Sequence, residues 1–126
     1  MIKLRIEDVF NSIPVLRELS EKPFKGAMTF KITRLIRELD KEISIFEEAR
    51  NKIANEYAER DEEGNFVIVD NNIKIQEDKI QQCNEELMSL MNTEIEVNAD
   101  KIPVSAFDDI EISPSQAIII DELIEY

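Results

Sequence analysis

The sequence predicts an α+β fold, mainly α: a long helix paired with a shorter antiparallel one, a small β-hairpin at their tip and two short strands near the base. Three observations carry this. First, the stretch from Phe24 to Arg60 has no proline, and its one glycine, Gly26, lies at the start. Along it Ile32, Leu39, Phe46 and Ile53 recur every seven residues, flanked by Leu35, Ile36, Ile43, Ala49 and Tyr57. That is an apolar stripe down one side of a helix. Second, the β-branched runs Phe66–Val69 and Ile73–Ile75 flank Asp70-Asn71-Asn72, a hairpin pattern. Third, a shorter stripe of Ile80, Cys83, Leu87, Leu90 and Met91 follows the hairpin. The reversed chain can lay this helix back along the first, whose stripe needs a covering partner.

In chain order, Ile2, Leu4 and Ile6 alternate with Lys3 and Arg5, a short strand. Val9, Phe10, Ile13, Leu16 and Leu19 then follow helical spacing. Pro14 admits two readings there. It lies in the first turn of a helix capped near Asn11, which is preferred because proline has no N–H to donate, or it kinks a helix begun at Asp8. The long helix starts at or after Phe24 and is expected to close at Asp61-Glu62-Glu63-Gly64-Asn65, with glycine as its left-handed terminator. Its exposed side offers the pairs Glu48–Lys52 and Glu56–Arg60, acid before base at four-residue spacing. A third helix spans about Glu77 to Asn92. Ile95 and Val97, alternating with Glu94 and Glu96, make a strand able to pair with Ile2–Ile6. Ser113, Pro114 and Gln116 form a capping box that opens a final helix through Ala117, Ile118, Ile119, Ile120, Leu123 and Ile124 to the chain end.

The 126 residues fit one domain, 1–126, with a modest core. No window is apolar for long enough to span a bilayer, and the N-terminus lacks the apolar core of a signal peptide. The lone cysteine, Cys83, excludes an intramolecular disulfide, so an intracellular soluble protein is expected. Histidine is absent. That removes the commonest general base and the commonest zinc ligand and weighs against most enzyme classes. Net charge is −13, unevenly spread. Residues 1–41 hold 9 Lys/Arg against 6 Asp/Glu, and residues 42–126 hold 6 against 22. Such a chain as a whole is repelled by nucleic acid and anionic lipid, so a basic partner or plain solubility better explains the acidic part.

Two stretches carry a resemblance. One is Phe46-Glu47-Glu48-Ala49-Arg50-Asn51-Lys52 with Tyr57 and Asp61–Asn65; the other is Leu90–Val97 followed by Lys101-Ile102-Pro103. Together with Ile13-Pro14 and Ser113-Pro114, the chain resembles, over nearly its whole length, a family of short uncharacterised proteins (a domain of unknown function) encoded by tailed phages and prophages of Gram-positive bacteria. The resemblance implies a phage origin and action in the host cytoplasm during infection or in the virion. It brings no catalytic motif.

Several constellations have a functional and a bland reading. Lys31, Arg34, Arg37 and Lys41 form a basic stripe on one side of the long helix, a patch for phosphates or acidic protein. The bland reading is a solvated face partly neutralised by Glu38, with no aromatic among the bases to stack on nucleotides. Asp70, Glu77 and Lys79 match the D…ExK pattern of metal nucleases, but at short spacing in an acidic chain. Asp61, Glu62 and Glu63 lack the alternating ligands of a calcium loop and read as a solvated turn. Cys83 sits on an apolar stripe and reads as a small buried hydrophobe, not a reactive thiol. Asp108, Asp109, Glu111, Asp121, Glu122 and Glu125 make an acidic patch able to mimic nucleic-acid phosphates, or simply to keep the protein soluble. Ile118, Ile119 and Ile120, with Leu123, put more apolar surface round one helix than a single face hides. They are either wedged into the core or a protein interface.

The expectation is a non-enzymatic, protein-binding phage protein, an accessory of virion assembly or a minor virion component. The alternative is an acidic inhibitor of a host defence or nucleic-acid-processing enzyme. No cofactor is expected. The partner is a phage or host protein, or a second copy; membrane and direct nucleic-acid binding are not expected.

Overall fold

The computed structural model describes all residues, Met1–Tyr126. The order is β1 (Ile2–Arg5), α1 (Ile6–Ser20), α2 (Gly26–Tyr57), β2 (Ile68–Val69), β3 (Asn72–Ile73), α3 (Ile80–Met91), β4 (Glu94–Val97), β5 (Ile102–Pro103), α4 (Pro114–Ile120) and β6 (Ile124–Glu125). Short 3₁₀ turns cover Glu77–Lys79, Val104–Phe107 and Asp121–Leu123. The fold is α+β and mainly α, dominated by the 32-residue α2.

The alternation read in β1 places Ile2 and Leu4 inward, and the strand pairs antiparallel with β4, Ile2 opposite Val97 and Leu4 opposite Ile95. Pairing residues of the same side-chain parity puts both apolar rows on one face. α1 lies along α2, α3 packs on α2, and α4 packs on α1. One buried cluster joins these elements: Ile2, Leu4, Val9, Leu16, Leu19, Ile32, Leu35, Leu39, Val97, Ile102, Ile120, Leu123 and Ile124 are among its members. Ser12, the one buried polar side chain, donates its hydroxyl to the Asp8 carbonyl at 2.6 Å, and its small size lets the α4 backbone come close at Ile119. Arg17 of α1 reaches both Asp40 carboxylate oxygens of α2, at 2.9 and 2.7 Å. Both partners are substantially exposed, so the pair sets register more than stability.

Four local expectations are corrected. α1 begins at Ile6, not near Asn11: the Arg5 N–H donates to the Asp8 carboxylate at 3.1 Å, and Pro14 lies inside the helix. Burial of Ile6 and Val9 together with Val15 and Leu16 outweighs the backbone bond that proline forgoes.

The long helix stops at Tyr57, earlier than its glycine. Ala58 turns extended because it bridges Ile75, the Glu59 N–H donates to Lys74 C=O at 2.8 Å, and the Gln76 N–H donates to Tyr57 C=O at 2.9 Å. Gly64, at φ +84, instead closes a tight turn in which the Asp61 carboxylate accepts from the Glu63 and Asn65 amides at 2.9 and 3.0 Å. The pairs Glu48–Lys52 and Glu56–Arg60 do not form ion pairs. Arg60 has left the helix, stacks 4.2 Å over the Phe66 ring and donates to Gly64 C=O at 2.8 Å.

The final helix ends at Ile120, not at the chain end. Its predicted start holds: the Gln116 amide donates to the Ser113 hydroxyl at 3.2 Å, and the Gln116 side chain accepts from the Ser113 N–H at 3.0 Å. After a 3₁₀ turn, Ile124–Glu125 pairs parallel with Ile102–Pro103, so Ile124 meets buried Ile102 from a strand.

The hairpin forms where it was expected, but its turn is two residues long: Asn72 belongs to β3 and stands opposite Val69. Asp70 and Asn71 both take positive φ, 53 and 65, the two left-handed positions of a type I′ turn, which Asp and Asn tolerate better than other side chains.

Candidate functional site

Three surfaces hold the residues singled out from sequence. The first is the C-terminal end. Ile120 and Leu123 are core, 1% and 0% exposed, whereas Ile118 is 77% exposed and Ile119 partly so. Four residues proposed as one interface are therefore split by helical geometry. At about 100° per residue, Ile118 points some 160° away from Ile120. All six carboxylates, Asp108, Asp109, Glu111, Asp121, Glu122 and Glu125, are exposed. Among them only Asp121 has a side-chain partner, the Tyr126 hydroxyl, which donates to it. The bond holds the Tyr126 phenol above its usual pKa. Beside them Val104, Phe107, Ile112, Ala117, Ile120, Ile124 and Tyr126 line a wholly apolar cleft of about 90 Å³.

The second surface is the back of α2. Lys31, Arg34, Arg37 and Lys41 are exposed, and only Lys41 has an ion pair, with Glu38 at 2.9 Å. The expectation that no aromatic stands among these bases is wrong. Phe30 is 77% exposed and lines the same shallow groove as Arg34, Arg37 and Lys41. Phe30 precedes Arg34, Arg37 and Lys41 at spacings of four, three and four, a pattern legible in the sequence, but it lies off the seven-residue apolar stripe of α2.

The third surface, not singled out in advance, is α3. Its stripe was expected to be covered by α2, yet only Cys83 is buried. Met88 is 64% exposed, Ile80 nearly half exposed, and Leu87 and Met91 half-buried. Leu87, Met88 and Met91 line an open groove with Glu7, Asn84 and Asn92. The far end of α2 is similarly bare: no residue between Phe46 and Ala58 is buried. Where α2 and α3 do meet, the Tyr57 hydroxyl donates to the Glu86 carboxylate at 2.7 Å. That bond pushes the Tyr57 pKa up to about 12. The Cys83 thiol is also pushed up, by burial first and by the Glu86 charge second, which suits a packed hydrophobe.

Asp70 stands at the hairpin turn, while Glu77 and Lys79 lie in the 3₁₀ turn before α3. No group of three or more Cys, Asp or Glu side chains is placed to hold a metal ion. No helix is long and apolar enough to cross a membrane.

No protein-family model, curated protein or solved structure matches the chain.

Proposed function

We propose that the protein is a non-enzymatic binding protein whose α3 strip receives a helix of another protein, in the setting of phage virion assembly or as a minor virion component. The observation that carries the reading is the run Ile80, Leu87, Met88 and Met91 on one side of α3, with Ile80 and Met88 exposed and Leu87 and Met91 only half-buried. α1 and α2 leave this strip of α3 open, and a helix of a partner laid along it covers it. Methionine, unbranched and polarizable, adapts to a partner's shape at such surfaces. The resemblance over 46–65 and 90–103 supplies the phage setting.

The test is affinity capture from phage-infected cells, comparing the native chain with an Ile80→Glu/Met88→Glu variant. Both side chains are exposed enough for the charge to stay in water, and circular dichroism checks the fold. Recovery of tail, neck or capsid proteins by the native chain and their loss in the variant is expected. Equal recovery by both chains ends the reading, as does a carboxylate-dependent turnover of any substrate by the purified protein.

A second reading, an acidic inhibitor of a host defence or nucleic-acid enzyme, is favoured by the six exposed carboxylates of the C-terminal end. It predicts target binding that falls steeply with salt, because exposed charges are screened within about 8 Å at physiological ionic strength. Salt-independent binding removes it.

A further inference from the structure

Two surface features stand apart from the α3 groove: the exposed Phe30 of α2 and the apolar cleft of the C-terminal end. On α2, at about 100° per residue, Phe30, Arg34, Arg37 and Lys41 fall within about 60° of one another, while Ile32, Leu35 and Leu39 point about 140° to 200° away into the core. Phe30 thus stands on the side of α2 that faces away from its own core. It is a large aromatic in water, and Arg34 and Arg37, which have no intramolecular ion pair, continue its side of the helix towards Lys41, which pairs with Glu38. A desolvated aromatic beside arginine is the usual anchor of a protein contact.

The cleft shows the complement. Its lining is entirely apolar, and its volume is about 90 Å³. That is below the 150 Å³ or so that encloses a whole benzene. A volume of that size has room for the edge of an aromatic ring, and the lining residues Val104 and Tyr126 are exposed beside it. Four of the six exposed acids are chain neighbours of lining residues: Asp108 follows Phe107, Glu111 precedes Ile112, Asp121 follows Ile120 and Glu125 follows Ile124. An exposed aromatic on a basic side of α2 and an apolar hole in the acidic C-terminal end occur on the same chain.

We propose that one copy of this chain docks Phe30 into the Phe107–Ile120–Tyr126 cleft of a second copy, with Arg34 and Arg37 facing the carboxylates of the C-terminal end. The basic face is a poor partner for itself. Laid antiparallel, Arg34 of one copy meets Lys41 of the other, a like-charge contact. Knob and hole are different surfaces, so the contact is heterologous and association continues beyond a dimer. The net charge of −13 on each copy opposes it at low salt, and screening of the local pairs opposes it at high salt. Association is therefore greatest near physiological ionic strength. It uses neither Ile80 nor Met88 and stands or falls apart from the α3 reading.

The experiment is sedimentation velocity over a range of protein concentrations on three full-length chains: native, Arg34→Glu/Arg37→Glu and Asp121→Lys/Glu125→Lys. All four substituted side chains are exposed, so each variant is expected to fold, with circular dichroism as the check. The native chain is expected to shift to larger species with concentration. Each charge variant alone should stay monomeric, since its knob and hole then carry like charges. Their equimolar mixture should associate, because every face again meets its opposite. Phe30→Ala should weaken native association about tenfold or more, the size of a typical anchor deletion. A native chain that remains monomeric throughout overturns the proposal, as does association that persists unchanged in the charge variants. Monomeric protein that binds a labelled oligonucleotide, and loses that binding in Arg34→Glu/Arg37→Glu, assigns the basic face to phosphates instead.

Discussion

Replacing Pro14 with alanine should make this protein more stable, although Pro14 lies within an amphipathic helix that helps form the core. Pro14 is exposed and occupies the interior of α1, eight residues past its start at Ile6. A proline there withholds one backbone hydrogen bond and crowds the preceding turn, at a cost of about 3 kcal/mol relative to alanine. Alanine gives up some of this by loosening the unfolded chain, worth up to about 1 kcal/mol. The net gain is about 2 kcal/mol. For 126 residues the unfolding entropy is about 0.26 kcal/mol/K, so Tm should rise by about 8 °C. Asn11→Ala should also be neutral or mildly stabilising, because Asn11 is an exposed interior helix residue and alanine is the better helix former. The assay is thermal and urea unfolding of the three chains. If α1 instead began near Asn11, Pro14 would sit in a first turn, where it is favourable, and Asn11 would be the cap. Both substitutions would then destabilise, Asn11→Ala by about 1 kcal/mol. A lowered Tm in the two variants would falsify the continuous helix from Ile6.

The other expectations follow from burial and from the shifted groups. Leu39→Ala should cost about 2–5 kcal/mol in urea unfolding, since Leu39 is fully buried where α2 meets the core, while Ile118→Ala should stay within about 0.5 kcal/mol; equal effects would mean that α4 is wrongly rotated. The Tyr57 phenol, its pKa raised to about 12 by the Glu86 carboxylate, should keep its proton until well above the usual value of 10.0, as read by tyrosinate absorbance. Because its folded pKa is raised, the stability it contributes is complete below pH 10 and lost as pH climbs towards about 12. Glu86→Gln should return the Tyr57 titration towards the ordinary range, and an unchanged curve would refute the bond. Cys83, buried against α2 with a raised thiol pKa, should react with a disulfide reagent far more slowly in the native protein than in urea; equal rates would place it at the surface.

Periodicity determined much of this molecule without any reference to its packing. The α2 stripe, the type I′ turn at Asp70-Asn71, the β1 and β4 alternation and the Ser113–Gln116 cap are all local patterns, and a local pattern needs only the backbone period or one side-chain hydrogen bond to be realised. What failed depended on partners distant in sequence. Tyr57 ends α2 because Lys74, Ile75 and Gln76 bind the chain just beyond it, and Ile124 leaves the helix because Ile102 offers a strand. Pro14 was placed by local chemistry near a helix start, and core burial on both sides of it decided otherwise. The candidate surfaces divide in the same way. Charge could be counted along the chain, so the acidic and basic groups were visible at once. Exposure could not, because whether Ile118, Phe30 or Met88 meets water depends on which neighbouring element runs out of length to cover it. Only the tertiary structure decides that, because burial is a property of packed surfaces and not of any residue's own preferences.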